Sequence, residues 1–224
     1  MANQYFRKLP NVEYVNRTES TVNLDDFIQV KNLFKKGKLR DDIFENLVFF
    51  DKYTIFGDDR PDNVAFDLYD DPTLDWVILL ANNILNIYSE WPMPQQTFDE
   101  YLLEKYATYD NLYNGVHHYE SMEIKDTSGN IIFPKGLKVD SVQSLNYYDY
   151  EISSNVSIPN LSVPVTNYEY EEKLNNDRRN IFVLKADYLP VVLDDMEEIM
   201  EYKKGSTQYV SETLQRADNI RLYT

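Results

Sequence analysis

Among its 224 residues, the side chains best suited to acid–base or metal chemistry are 38 carboxylates and two adjacent histidines, with no cysteine. Acids this frequent meet in pairs anywhere along a chain, and two carboxylates divide into acid and base only when their surroundings push their pKa values apart. His117 and His118 fall on an expected strand. Consecutive strand residues face opposite sides, so the two imidazoles are not expected to share a metal ion. Asp58-Asp59 and Asp70-Asp71 have the acid density of a calcium loop, but each runs into a proline, Pro61 or Pro72, and is a helix start first. The six glycines make no phosphate-cradling loop, and neither a G-x-S-x-G elbow nor an H-E-x-x-H helix is present. No catalytic, cofactor-binding or metal residue is assigned, no cofactor is expected, and the chain reads as a non-enzyme.

The net charge of −16 argues against nucleic acid, whose binding needs a basic footprint to displace counterions, and against an anionic membrane surface. The start, MANQYFRKLP, has no apolar run and is not expected to be a signal peptide. Nineteen tyrosines supply large contact area with a polar tip. They suit either an aromatic core or a life spent against other proteins.

The elements that must position these residues are organised around Arg60 to Tyr88. Asp59-Arg60-Pro61 and Asp71-Pro72 mark two helix starts, since proline suits a first turn and carboxylates suit the positive end of the dipole. The second helix is apolar almost all round, with Asp75, Asn82 and Asn86 on one narrow stripe. A surface helix needs only about a 100° apolar stripe, so Trp76, Leu79 and Leu80 are expected in the core. At about 1.5 Å per residue, this helix is too short and too often interrupted to cross a membrane.

Residues 1–22 read as an extended arm, ordered only by contacts supplied from elsewhere. Leu24, Phe27, Val30 and Phe34 share a helical face that Gly37 closes. Residues 43–56 read as strand. Trp91-Pro92-Met93-Pro94 is a stiff corner before a short helix over 97–106. Val116 to Lys125 and Ile131 to Phe133 form a hairpin, and residues 144–167 read as a long exposed connection. Asn167 to Asn180 is a polar helix, Ile181 to Leu184 a strand, and Leu189 to Met200 an amphipathic helix. The fold class is α+β, divided as 1–42, 43–96, 97–166 and 167–224. The last segment is too small to be stable alone, and a strand apolar on both faces needs cover on both. Ile181, Phe182, Val183, Leu184, Leu189, Val192 and Met196, with Tyr168 and Tyr170, are the expected interface to a neighbouring chain.

Two resemblances follow from these residues. The strand, Gly57-Asp58, Val64-Ala65-Phe66, the Asp-Pro break, Trp76 and Asn82-Asn83 resemble a LysM module, a small βααβ unit. Typical members bind N-acetylglucosamine polymers through the loops after the first strand and the second helix. Here Asp59, Arg60 and Pro61 stand where those members carry a hydroxyl residue, and no glycan binding is expected. Exposed aromatics near Gly57 and Tyr88 would favour sugar; burial of those loops against another chain would favour a scaffold. More widely, Phe27 to Phe34, Arg60-Pro61, Leu74 to Leu79, Glu172 to Asn175, Arg178 and Ile181 to Lys185 resemble the baseplate wedge protein 53 family of contractile-tailed phages, with 116–165 poorly matched. The resemblance implies a structural virion protein with no catalytic centre. It would join neighbouring wedges through other wedge subunits, in a tail baseplate assembled in the host cytoplasm. A peptidoglycan- or chitin-binding LysM module is the alternative, and a lysozyme-like hydrolase the third reading.

Overall fold

The computed structural model describes residues 3–15, 27–205 and 208–217. They form an α+β protein of two compact units, one drawn from Met1–Glu90 with Asn180–Thr224 and the other from Trp91–Arg179. The boundaries expected after residues 96 and 166 both fall inside the second unit.

The first unit opens with α1 (Tyr5–Lys8) and β1 (Asn11–Val15). Residues 3–15 of the expected arm are tied down by their own chain, and the rest of the arm lies outside the described residues. The Trp76 indole N–H donates to the Asn3 carbonyl at 2.8 Å, and Lys8 pairs with Glu197 at 2.8 Å. Next, β2 (Phe27–Lys31) lies antiparallel to β1, with Val12 opposite Val30 and Tyr14 opposite Ile28. A helix was expected there. The β-branched Ile28 and Val30 satisfy their backbone groups on a strand some fifteen residues away, a non-local partner that overrides the helical spacing; Leu24 lies outside the described residues. Gly37 closes no helix either. A Cβ at that position would run into the thioether of Met196, so glycine there lets that side chain come close.

After α2 (Asp41–Phe44), which buries Ile43, the expected long strand shrinks to β3 (Phe50–Thr54). The two acid–proline starts both open helical turns. In α3 (Pro61–Tyr69) the proline is at the first position and Asp62 in the first turn, and Asp70 ends the helix in the left-handed region at φ 56°. The Asp71 carboxylate then accepts from the Thr73 amide at 2.9 Å, capping the turn that leads into α4 (Asp75–Ala81). This helix stops well before Tyr88. The Asn82 carboxamide donates to the Ile78 carbonyl at 2.9 Å, Asn83 turns left-handed at φ 53°, and α5 (Ile87–Glu90) is a separate single turn.

The second unit holds α6 (Gln95–Tyr106), α7 (Tyr109–Tyr113), β4 (Val116–Ser121), β5 (Ile124–Lys125), β6 (Ile131–Phe133), β7 (Lys138–Val139), β8 (Leu145–Asp149), β9 (Ser154–Ile158), β10 (Ser162–Thr166) and α8 (Asn167–Asp177). β4 lies between β10 and β7, while β5 pairs with β6 and β8 with β9. The connection expected over 144–167 is therefore a hairpin and a sheet strand. Its alternation, Leu145 opposite Ile158 and Tyr147 opposite Val156, is diluted by serine and asparagine on the exposed face. Phe98, Leu102 and Leu112 form a small apolar cluster with Tyr168 against it.

The chain then returns to the first unit with β11 (Asn180–Leu184), antiparallel to β3, and α9 (Leu189–Met200). Last come β12 (Tyr209–Ser211) and β13 (Leu214–Arg216), the latter parallel to β1, so the larger sheet runs β12-β13-β1-β2. The expected C-terminal docking segment is thus divided between the units. Open strand edges invite wrong partners, and the outer edge of β11 is closed by side chains. Asn82 accepts from the Phe182 amide at 2.8 Å and donates to its carbonyl at 2.7 Å. The Tyr69 hydroxyl donates to the Leu184 carbonyl at 2.7 Å, and burial pushes that phenol up to about 12.

Candidate functional site

Five of the expected interface residues are already covered by their own unit. Ile181, Val183, Leu184, Val192 and Met196 are buried, because β3 pairs with β11 and Gly37 lets Met196 come close. The neighbouring chain invoked to cover them is not needed for these five. Phe182 is exposed, and Leu189 is half-buried. Tyr168 and Tyr170 belong to the second unit, where both are half-buried. Of the expected core residues Trp76 is buried, whereas Leu79 and Leu80 are only half-buried and Val77 and Ile78 take the interior positions.

One patch of exposed and half-buried apolar side chains in the first unit lies on its larger sheet. Strand alternation puts Val12 and Tyr14 on one face of β1 and Val30 on the matching face of β2. With Phe34, Gln208, Gln215 and Ala217 they line a shallow groove of about 460 Å³. Phe34 is 99 % exposed, held in an Asn-turn by the Asn32 side chain, which accepts from its amide at 3.0 Å. The opposite face of the sheet is closed by polar contacts. Arg216 lies 4.4 Å from the Phe27 ring centre and 3.3 Å from the Glu13 carboxylate. A sequence pattern of alternating apolar residues could have found Val12 and Tyr14, but the helical reading of 24–36 hid their partners.

The second unit shows other chemistry. Glu171 is buried on α8 and accepts from Lys105 at 2.7 Å and from the Tyr106 hydroxyl at 2.9 Å. Its hydrogen bond raises the Lys105 pKa above the ordinary value, while burial and then Glu171 push Tyr106 up to about 12. Asn175 brackets the backbone of Met93, accepting from its amide at 2.8 Å and donating to its carbonyl at 3.1 Å.

The histidines differ from their expected placement. Between β4 and β10 the register passes from Val165–His118 to Thr166–Val116 and skips His117. This is a β-bulge, which bends the strand and re-aims side chains. Both rings consequently come together, with Nδ1 of His117 3.0 Å from Nδ1 of His118. His117 stacks on Tyr170 at 3.7 Å and 11°; Nε2 of His118 meets Glu120 at 3.3 Å. Among the described residues no cluster of three or more His, Asp or Glu side chains could hold a metal, and no helix is long and apolar enough to cross a membrane.

The described residues thus make an α+β protein with exposed aromatic side chains on both units, Phe34 and Phe56 on the first and Tyr109 and Tyr150 on the second. Residues 4–199 match the family model described as base plate wedge protein 53, and the chain belongs to that family. Membership makes it a virion component of the tail baseplate, a multi-subunit assembly, with a structural role. No individual curated protein matches the chain significantly.

Proposed function

We propose that this protein joins neighbouring wedges of a contractile-tail baseplate through protein–protein contacts. The family match over residues 4–199 is the observation that carries the reading. The groove of Val12, Tyr14, Val30 and Phe34 is the surface we assign to contact with another wedge subunit, with Phe182 and the tyrosines of the second unit as further contact points. Aromatic anchors near the centre of an interface carry much of its energy, and Phe34 is the most exposed one. Phe34→Asp and Val30→Lys should leave a soluble chain with an unchanged melting temperature and prevent its incorporation into baseplates. Normal incorporation of both variants would remove the groove from the contact.

We also read β3, α3, α4 and β11 as a LysM-like βααβ unit whose last strand arrives after the second unit. The order of these four elements and the antiparallel β3–β11 pairing support it. One observation favours the alternative of glycan binding: Phe56 and Tyr88, beside the two loops a LysM module uses, are 71 % and 90 % exposed. Against it stand Asp59-Arg60-Pro61 and the charge of −16. Calorimetric titration with chito-oligosaccharide should be flat into the millimolar range; saturable micromolar binding would reverse the order of the two readings.

A further inference from the structure

We propose that His117 and His118 form a binding site for a divalent transition-metal ion of the zinc, nickel and copper class, held through the two Nδ1 atoms. The bulge in β4 places these atoms 3.0 Å apart. Two nitrogen ligands at about 2.0–2.1 Å on a tetrahedral centre sit about 3.3 Å from each other, so the nitrogens need separate by only a few tenths of an ångström, with the rings turning so that both lone pairs meet on the ion. The proton pattern is set from outside. Glu120 is a carboxylate and accepts, so Nε2 of His118 carries the hydrogen and its Nδ1 presents a lone pair. In the metal-free chain His117 donates its Nδ1 hydrogen to that lone pair. On binding, this proton moves to Nε2 of His117, an exposed residue, and the ion takes its place, with no net change in protons.

The surroundings have the form that metal-ligating histidines use. The non-ligating nitrogen of a metal-bound imidazole almost always donates to a carboxylate or carbonyl, which fixes its tautomer and orientation. Glu120 fills that role for His118 and is itself held by Lys173 at 3.4 Å. Tyr170, stacked flat on His117, holds the second ring. Imidazole ligands favour zinc, copper and nickel over the hard cations calcium and magnesium. The described residues bring no third side chain of ligand type to the pair, so water fills the remaining positions.

The sequence makes the test clean, because these are its only two histidines and it has no cysteine. Full-length protein is titrated with zinc chloride in a large excess of magnesium chloride, which occupies carboxylates, while the imidazole resonances are followed by NMR and the heat by calorimetry. One saturable site is expected, with both histidines shifting together. His117→Gln, at an exposed position, and His118→Gln should each weaken binding at least tenfold, and Glu120→Gln by about tenfold, within the usual range for such outer partners. Unchanged melting curves establish that the variants fold. Failure of the resonances to shift, a shift of one ring alone, or unaltered affinity in His117→Gln would overturn the site.

Discussion

The two units solve the same problem of a stable interior by different means. Among the described residues, all four buried polar residues, Ser121, Asp149, Glu171 and Asn175, lie in the second unit, whereas 19 of the 24 buried apolar residues lie in the first. Apolar burial is non-directional and grows with area, so the first unit needs only the right shapes at the right periodicity. A buried polar network is worth keeping only when every member is satisfied. The second unit therefore depends on partner geometry: Glu171 must meet Lys105 and Tyr106, and Asp149 must meet Thr127 and Glu151. The difference predicts which substitutions each unit tolerates.

The largest effect should come from Trp76→Ala. Truncating a buried tryptophan costs about 3–5 kcal/mol, much of a usual 5–15 kcal/mol total. Hydrogen exchange at the Ile181 and Val183 amides should accelerate, while Trp91, buried in the second unit, keeps its fluorescence maximum. Equal loosening of both units would break the comparison. A smaller effect, about 1.5–3 kcal/mol for loss of hydrogen bonds to a charged group, is expected from Glu171→Ala, read by urea denaturation of a Trp76→Phe chain that reports through Trp91 alone. Glu171→Gln, which keeps an acceptor, should recover part of the loss.

Asn82→Ala removes both bonds to Phe182, at about 0.5–1.5 kcal/mol each, and uncovers the edge of β11. Faster exchange of the Phe182 amide is the expected sign, and full protection would show that Asn82 is not what closes that edge. The smallest effect concerns acid. Hydrogen bonds from the Thr127 hydroxyl and amide, and then from the Glu151 amide, hold the Asp149 carboxyl below its ordinary value of 3.8. A lowered folded value contributes stability that is present above the ordinary value and is lost as pH falls through the folded one. The β5–β6 and β8–β9 hairpins should thus loosen below about pH 4, visible at the Thr127 amide by NMR. Asp149→Asn should flatten that response.

The same contrast explains what could be read from the sequence. Leu189 to Met200, Ile181 to Leu184 and the acid–proline starts of α3 and α4 are local patterns, and the elements stand where those patterns put them. The strand over Phe27–Lys31 was hidden because its residues also fit a helical spacing, and only the distant β1 decides between the two. The hairpin after Ser144 was hidden because serine and asparagine read as loop until Asp149 and the pairing with β9 are known. No residue type marks the bulge at His117, so the meeting of the two imidazoles was not legible at all. Burial of the β11 face within its own unit depended on a pairing across more than a hundred residues, beyond the reach of any periodicity.

That long-range pairing carries a consequence for synthesis. Domains fold as units while the chain emerges, and Trp91–Arg179 is a continuous stretch that can close early. The unit begun before it cannot. Until Asn180–Leu184 has left the ribosome, β3 has no partner, Tyr69 and Asn82 have no strand to hold, and Met196 is not yet there to meet Gly37. A stalled or clipped chain that ends before this point would expose an unpaired strand and half a core, and would be open to proteolysis.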